Sequence, residues 1–151
     1  MRLFVGVWPS EEVRDAIEAL PRAAGVRWTS RQQWHVTLRF VGEVDDPAPW
    51  IRRVARVASE FRTRTVTLGP KTTLLGRENL VIPAAGLDDV AAAFGAEKFR
   101  GHLTLSRHAT PQLAGVPFAA TFEAREIALV RSHLGAGPAR YETIATGAFA
   151  P

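Results

Sequence analysis

The strongest constraint on this chain is a four-residue pattern that occurs twice, as His35-Val36-Thr37-Leu38 and as His102-Leu103-Thr104-Leu105. Successive side chains of a β-strand point to opposite faces, so each copy places its histidine and threonine on one face and its two apolar residues on the other. The two copies lie 67 residues apart, too far for one hairpin. A duplicated fold would bring both pairs into one cleft, where two imidazoles and two hydroxyls would surround a single anion.

The composition is that of a folded protein, with 46% hydrophobic and 23% charged residues among 151. The chain has no run of about 18 apolar residues that would span a membrane. Residues 1–8 are too short for a signal peptide, and Pro9 interrupts them. We therefore expect a cytoplasmic protein with no membrane partner, and a monomer.

The residue types that are missing narrow the chemistry. Cysteine is absent, which excludes disulfides, thiolate nucleophiles and cysteine-based zinc sites. No two of the four histidines have the spacing of a helical metal pair, so we expect chemistry without a metal or another cofactor. All but two of the 19 basic residues are arginine, whose guanidinium matches phosphate geometry, so a nucleic-acid substrate is compatible with the charge.

The hydrophobic pattern predicts a mixture of strands and helices, with Ser10 as the first helix N-cap. Because the strands and helices do not alternate regularly, the pattern favours an α+β fold. The segment 134–138 predicts a hairpin between the last two strands. The predicted strands are 2–8, 26–28, 34–41, 65–68, 72–75, 80–82, 99–106, 121–132 and 140–146, and the predicted helices run from Ser10 to Pro21, from Asp45 or Asp46 to Phe61, and over 87–94.

Two histidines and two threonines meet the needs of phosphodiester cleavage. The attacking oxygen needs a base, the departing oxygen needs an acid, and the non-bridging oxygens need hydrogen-bond donors. Histidine suits both proton roles because its ordinary pKa is about 6.5. A single His-x-Thr on a strand is most often structural, but two copies in similar settings indicate a shared role.

The residues around the two motifs identify a family. The chain resembles the two-histidine (2H) phosphoesterase superfamily, and within it the bacterial and archaeal RNA 2′,3′-cyclic phosphodiesterases once described as 2′-5′ RNA ligases. The resemblance runs nearly from end to end and includes Phe-Val-Gly-Glu after the first motif and Ser-Arg after the second. The segments that carry it are 1–5, 34–43, 102–107, 129–132 and 141–142.

The resemblance implies a bilobal α+β fold in which two antiparallel sheets line a central cleft, with helices outside and a pseudo-two-fold duplication. The whole of residues 1–151 would be a single 2H phosphoesterase domain of two intertwined lobes. In that family His35 would protonate the departing ribose oxygen, and His102 would activate the water. Thr37, Thr104 and Arg107 would hold the phosphate. The implied partner is RNA with a 2′,3′-cyclic phosphate end, which is opened to a 2′-phosphate, and the reverse reaction would make a 2′-5′ linkage.

Three departures from the family pattern affect these expectations. Gly101 stands where the family often has proline, which predicts looser placement of His102. The helix before the second motif is short, which predicts a trimmed second lobe. Strict alternation places Arg107 on the face opposite His102, so Arg107 reaches the phosphate only if the strand ends or twists there.

Further RNA contacts are expected at the edge of the cleft. Phe4 and Trp28 could stack a terminal base if they are exposed. Arg39 has the same strand parity as His35, which favours it among the nearby arginines as a contact to RNA.

Two other functions remain open at this stage. The chain could act on a different phosphodiester, such as a 2′-5′ oligonucleotide or a small cyclic nucleotide. It could also be a non-catalytic module that binds RNA ends, although retention of all four motif residues speaks against this.

Overall fold

The computed structural model describes residues 1–96 and 98–151. The described residues form an α+β fold built on one long, strongly curled antiparallel sheet, with three α-helices. The strands are β1 (Arg2–Val7), β2 (Val36–Glu43), β3 (Arg64–Leu68), β4 (Thr73–Leu75), β5 (Asn79–Ala85), β6 (His102–Ser106), β7 (Ala120–Ala124), β8 (Glu126–His133) and β9 (Arg140–Ala148), and the helices are α1 (Glu11–Glu18), α2 (Ala48–Ser59) and α3 (Asp88–Ala93).

The strand order has an internal two-fold pattern. The order is β7-β3-β5-β6-β2-β1-β8-β9, with β4 paired to the side of β5. The two central strands, β2 and β6, carry the two motifs and meet at the pair Val36 and Leu103. Each also continues a strand-helix-strand unit, β1-α1-β2 in the first half and β5-α3-β6 in the second. The predicted fold class and its duplication are therefore confirmed, with the two sheets joined edge to edge.

The core forms where apolar strand faces meet the helices. Ser10 caps α1 by accepting a hydrogen bond from the Val13 amide at 3.3 Å, as predicted, and Val13 and Ile17 bury the inner face of that helix. Val54, Val57 and Ala58 do the same for α2. No helix among the described residues is long and apolar enough to cross a membrane.

Several predicted strands differ from the structure, among them 99–106, since β6 begins only at His102. The predicted strand 121–132 is two strands, since β7 pairs with β3 whereas β8 pairs with β1 and β9. The segment 26–28 contributes only an isolated bridge from Trp28 to Ser106. The β5 strand runs past Pro83 to Ala85, longer than the predicted 80–82. The short third helix and the hairpin at 134–138 are confirmed.

Candidate active site

The two motifs lie side by side at the centre of the sheet. Val36 and Leu103 are fully buried and pair with each other, while the histidine and threonine of each motif lie on the other face and are partly exposed. Alternation within each motif therefore works as the sequence predicted. The duplicated fold brings both His-Thr pairs to one surface.

Both pairs line the same cleft, which has a volume of about 360 Å³. Its polar groups are imidazole, hydroxyl and guanidinium, and none of the described residues that line it is acidic. Such a cleft favours an anion. The lining residues are Arg2, Leu3, Phe4, His35, Thr37, Phe40, His102, Thr104, Arg107, Ser132, Leu134, Ala139 and Tyr141.

Each catalytic candidate histidine is held by a backbone carbonyl two residues before it. Nδ1 of His35 lies 2.6 Å from the Gln33 carbonyl oxygen, and Nδ1 of His102 lies 2.7 Å from that of Arg100. Because a carbonyl oxygen only accepts, Nδ1 carries the hydrogen in both rings and Nε2 is left for proton transfer. At His35, Nε2 accepts a hydrogen bond from the Thr37 hydroxyl at 2.8 Å.

Aromatic rings enclose His35. Phe4 stacks on the imidazole with the ring centroids 4.6 Å apart, and Tyr141 meets it edge-on at 5.3 Å. Trp8 packs against a third side at 5.7 Å, and its indole N–H donates to the Thr143 hydroxyl. These rings fix the orientation of the imidazole and leave it only partly accessible from the cleft.

This enclosure changes the acidity of His35. Burial lowers the pKa of His35 to about 4, since the charged imidazolium loses its hydration. The hydrogen bond to the Gln33 carbonyl raises the pKa against this effect, and the positive charges of Arg107 and His102 lower it further. His35 is therefore neutral near pH 7 in the free protein.

Two β-bulges decide which side chains beyond the motifs reach the cleft. On β2, Thr37 pairs with Gly6 and Arg39 pairs with Val5, so Leu38 is an extra residue. On β6 the next pairs are Val81 with Thr104 and Leu80 with Ser106, which leaves Leu105 as the extra residue. A bulge reverses the alternation that follows it. The fourth residue of each motif is thus the bulged one.

Arg107 lines the cleft because of the second bulge and because β6 ends at Ser106. Strict alternation had placed Arg107 on the face opposite His102. Because the strand ends before Arg107, the condition for this side chain to reach a phosphate is met. Phe40 holds the matching position on β2, three residues after Thr37. It exposes 74% of its surface.

The placement of Arg39 on the cleft face is wrong. The bulge at Leu38 turns Arg39 towards the helix side, where its Nη1 donates to the Phe94 carbonyl at 3.2 Å. Arg39 lines a neighbouring groove and not the cleft. Phe40 takes the position that parity alone had assigned to Arg39.

The expected looseness at Gly101 is also wrong. The Gly101 carbonyl accepts a hydrogen bond from the Ala84 amide at 2.9 Å. A Cβ atom at Gly101 would lie 2.2 Å from the Ala84 carbonyl oxygen, closer than real contacts allow. Glycine therefore permits β5 to approach closely, and the adjacent His102 pairs in register with Pro83.

The segment at 27–29 supports the end of β6. The Thr29 amide donates to the Leu105 carbonyl at 2.8 Å, and the Ser106 hydroxyl donates to the Arg27 carbonyl at 2.7 Å. Trp28 lies on a separate groove of about 470 Å³, next to the cleft. Of the three residues expected to contact RNA, only Phe4 lines the cleft itself. Phe4 is buried and stacked on His35, so the expectation that it is exposed to stack a terminal base is wrong.

The sequence reasoning missed two side chains with large roles in the cleft. Tyr141 comes from β9, and nothing local to the motifs indicates that this strand reaches His35. Phe40 was recognised only as part of the family pattern. Its exposure could have been found from the bulge, but a bulge has no reliable signature in one sequence.

Comparison with known proteins gives a family over part of the chain. The profile of the LigT like Phosphoesterase family matches residues 5–73, a little under half of the chain, which includes the first motif. The second motif lies outside the matched residues.

Solved structures extend the likeness over the whole chain. TT0787 of Thermus thermophilus has a TM-score of 0.86 at 24% identity, covering 99% of this chain and 98% of that one. E. coli LigT complexed with NADP+ has a TM-score of 0.82 at 23% identity, with the same coverage. E. coli LigT complexed with 3′-AMP has a TM-score of 0.77 at 23% identity, again with the same coverage. At these identities the structures establish a shared fold.

Both His-Thr motifs line one cleft of a fold that this chain shares with the solved LigT structures. Over residues 5–73 the chain is similar to the LigT like Phosphoesterase family, and over 99% of its length it shares the fold of TT0787.

Proposed function

We propose that the protein is an RNA 2′,3′-cyclic phosphodiesterase that opens a terminal 2′,3′-cyclic phosphate to a 2′-phosphate by histidine acid-base catalysis. One observation carries the proposal: both His-Thr pairs and Arg107 line a single cleft without acidic residues among its described lining. That set supplies an acid, a base and several donors to one phosphate. The LigT structures that hold 3′-AMP and phosphate are consistent with a nucleotide phosphate as ligand.

In the proposed reaction, a water oxygen attacks phosphorus while the bond from phosphorus to the ribose 3′ oxygen breaks. Nε2 of His102 takes the proton of the water, and His35 gives a proton to the departing 3′ oxygen. Attack and departure occur on opposite sides of phosphorus. Two histidines on neighbouring strands with pseudo-two-fold symmetry suit that geometry.

The phosphate would be held by hydroxyl and guanidinium donors. Thr37 and Thr104 lie on the same strand faces as the two histidines. Arg107 adds a positive charge that remains at all physiological pH values. These groups would stabilise the charge that develops on the non-bridging oxygens.

To act as the acid, His35 must be protonated when the substrate is bound. Its pKa of about 4 makes the imidazolium a strong proton donor but leaves the ring neutral near pH 7. A phosphate anion beside the ring would raise this pKa, because opposite charge stabilises the protonated form. Substrate binding would therefore protonate His35, which then donates this proton in the reaction.

The product distinguishes this function from the alternatives. A short RNA with a terminal 2′,3′-cyclic phosphate is incubated with the protein in EDTA, and the phosphate isomer is identified by ³¹P NMR. The proposal predicts a 2′-phosphate as the only product. Intact RNA beside cleavage of a 2′-5′ linked dinucleotide would show the other phosphodiester activity. Stoichiometric binding of intact RNA would show a binding module.

A further inference from the structure

A second groove adjoins the cleft. We call it the Phe40 groove; it has a volume of about 340 Å³. Phe40, Thr37 and His102 line both the cleft and this groove. A chain whose terminal phosphate lies between the two histidines could therefore extend directly into it. The other walls of the groove include Leu75, Lys98, Phe99 and Arg100.

An exposed aromatic ring stands where the two spaces meet. Phe40 is the most exposed of the large hydrophobic side chains, at 74%. The bulge at Leu38 fixes its direction, so the exposure follows from the strand geometry and not from a loose loop. A flat apolar surface beside a polar cleft is suited to stacking a nucleobase, which is how single-stranded nucleic acids are commonly held.

Positive charge surrounds this ring. Lys98 and Arg100 are exposed on the groove, and within residues 1–96 and 98–151 neither forms an ion pair. Cations that form no ion pair within the described ranges are available to a phosphodiester. A stacking ring between two cations and a phosphate cleft is complementary to a nucleotide.

We propose that the Phe40 groove binds the penultimate nucleotide of the RNA, which precedes the one that carries the cyclic phosphate, with its base on Phe40 and its phosphodiester near Lys98 and Arg100. This proposal rests on the proposed function and extends it. It predicts that the enzyme selects an RNA end over a free cyclic mononucleotide. Binding in the groove would make the active site prefer a longer substrate to a mononucleotide.

The groove beside Trp28 is the competing path for the RNA. It is larger, about 470 Å³, but it shares only Arg107 and Ala139 with the cleft. Trp28 is only partly exposed, and the Arg22 guanidinium lies 5.9 Å from its ring. The indole N–H of Trp28 donates to the Ala23 carbonyl at 3.3 Å. Phe40 therefore offers the more accessible stacking surface.

Two substrates that differ by one nucleotide test the proposal. The values of kcat/KM are measured in EDTA for uridine 2′,3′-cyclic phosphate and for the dinucleotide UpU with a 2′,3′-cyclic end. The ratio of the two kcat/KM values measures the contribution of the groove. Hydrolysis of the mononucleotide tests the proposed function independently of the groove. We expect the wild type to prefer the dinucleotide by about 10-fold, which corresponds to one stacked base.

Three variants locate the preference. In Phe40→Ala the ratio of the two kcat/KM values is expected to fall to about one. In Lys98→Gln the ratio is expected to fall by about 3- to 5-fold and to depend less on salt. Arg27→Gln is the matched control in the other groove and is expected to keep the wild-type ratio.

A wild-type ratio near one would overturn the groove proposal and leave the proposed function standing. A ratio that falls in Arg27→Gln but not in Lys98→Gln would move the RNA to the competing groove. Hydrolysis of neither substrate would overturn the proposed function and the groove with it.

Discussion

The two halves of the cleft carry the same motif in different surroundings. On the first half, rings from β1 and β9 enclose His35, and Thr37 donates to its Nε2. On the second half, His102 has the same backbone anchor, but none of the aromatic contacts among the described residues involves it. Two copies of the His-x-Thr-Leu motif therefore give their histidines different surroundings.

The difference originates in the neighbouring strands and not in the motifs. Gly6 pairs opposite Thr37, while Val81 pairs opposite Thr104. A Cβ at Gly6 would lie 3.3 Å from the Phe4 ring and 2.9 Å from the Val36 carbonyl oxygen. Glycine thus leaves space for the Phe4 ring beside His35. One small residue on β1 allows the enclosure that lowers the pKa.

Loss of either imidazole is expected to have the largest effect. His35→Gln and His102→Gln should each lower kcat by about 10²- to 10⁴-fold, the usual contribution of a positioned acid or base. The double variant should be little worse than the poorer single variant, because the two groups act as a unit. Single-turnover hydrolysis of the cyclic RNA end measures this. Full activity in either single variant would contradict the shared mechanism.

A substrate with a good leaving group separates the two histidines. Departing p-nitrophenolate needs no proton, so His35→Gln should hydrolyse bis(p-nitrophenyl) phosphate within about 10-fold of wild type if His35 is the acid. His102→Gln should remain impaired, since the water still needs a base. Rates followed by absorbance decide between them. The opposite pattern would exchange the two roles.

The threonines are expected to differ as the histidines do. Loss of one hydrogen bond to a charged group should lower kcat/KM by about 10- to 100-fold in Thr37→Val or in Thr104→Val. Thr37→Val should in addition change the pH profile, because Thr37 also contacts His35. Thr37→Ser and Thr104→Ser keep the hydroxyl and serve as controls. Equal pH profiles in the two valine variants would contradict the asymmetry.

Removal of the Phe4 ring, which stacks on His35, should make the two halves of the cleft more alike. The acidic limb of kcat/KM is expected near pH 4, where His35 of the free enzyme titrates. Phe4→Ala admits water and should raise this pKa towards its ordinary value, so the limb moves up by about one pH unit. Phe4→Leu keeps an apolar cover and should move it less. An unmoved limb in Phe4→Ala would show that the ring does not set the pKa.

The smallest effect is on stability. Because the pKa of His35 is lower in the folded protein than its ordinary value of about 6.5, the unfolded chain binds a proton first as the pH falls. Stability is therefore lost between about pH 6.5 and pH 4, with an upper bound of about 3 kcal/mol for this group. Urea unfolding of wild type and His35→Gln at pH 7 and pH 4.5 measures it. Equal losses in both proteins would contradict the prediction.

The sequence predicted the parts of the site that depend on local alternation. His35, Thr37, His102 and Thr104 share a face because a strand alternates, and two copies predicted a duplicated α+β fold. The N-cap at Ser10 was also predicted from local chemistry. These features need only a few neighbouring residues to form.

The sequence did not predict the parts that depend on strand pairing. A bulge after each threonine reversed the alternation, which misplaced Arg39 and left Phe40 without a role in the cleft. Gly101 looked permissive, but its role is the close approach of β5, which is visible only in three dimensions. Tyr141 reaches His35 from a strand far away in sequence. Register and long-range packing are not contained in a short pattern.

The central claim is that one phosphate is held between two non-equivalent histidines. It is tested most directly by following the ¹⁵N signals of both imidazoles by NMR at pH 6 while uridine 2′-phosphate is added. The account predicts that His35 and His102 shift with one common Kd, and that His35 changes from neutral to protonated as the phosphate binds. A shift confined to one histidine, or two different Kd values, would contradict it.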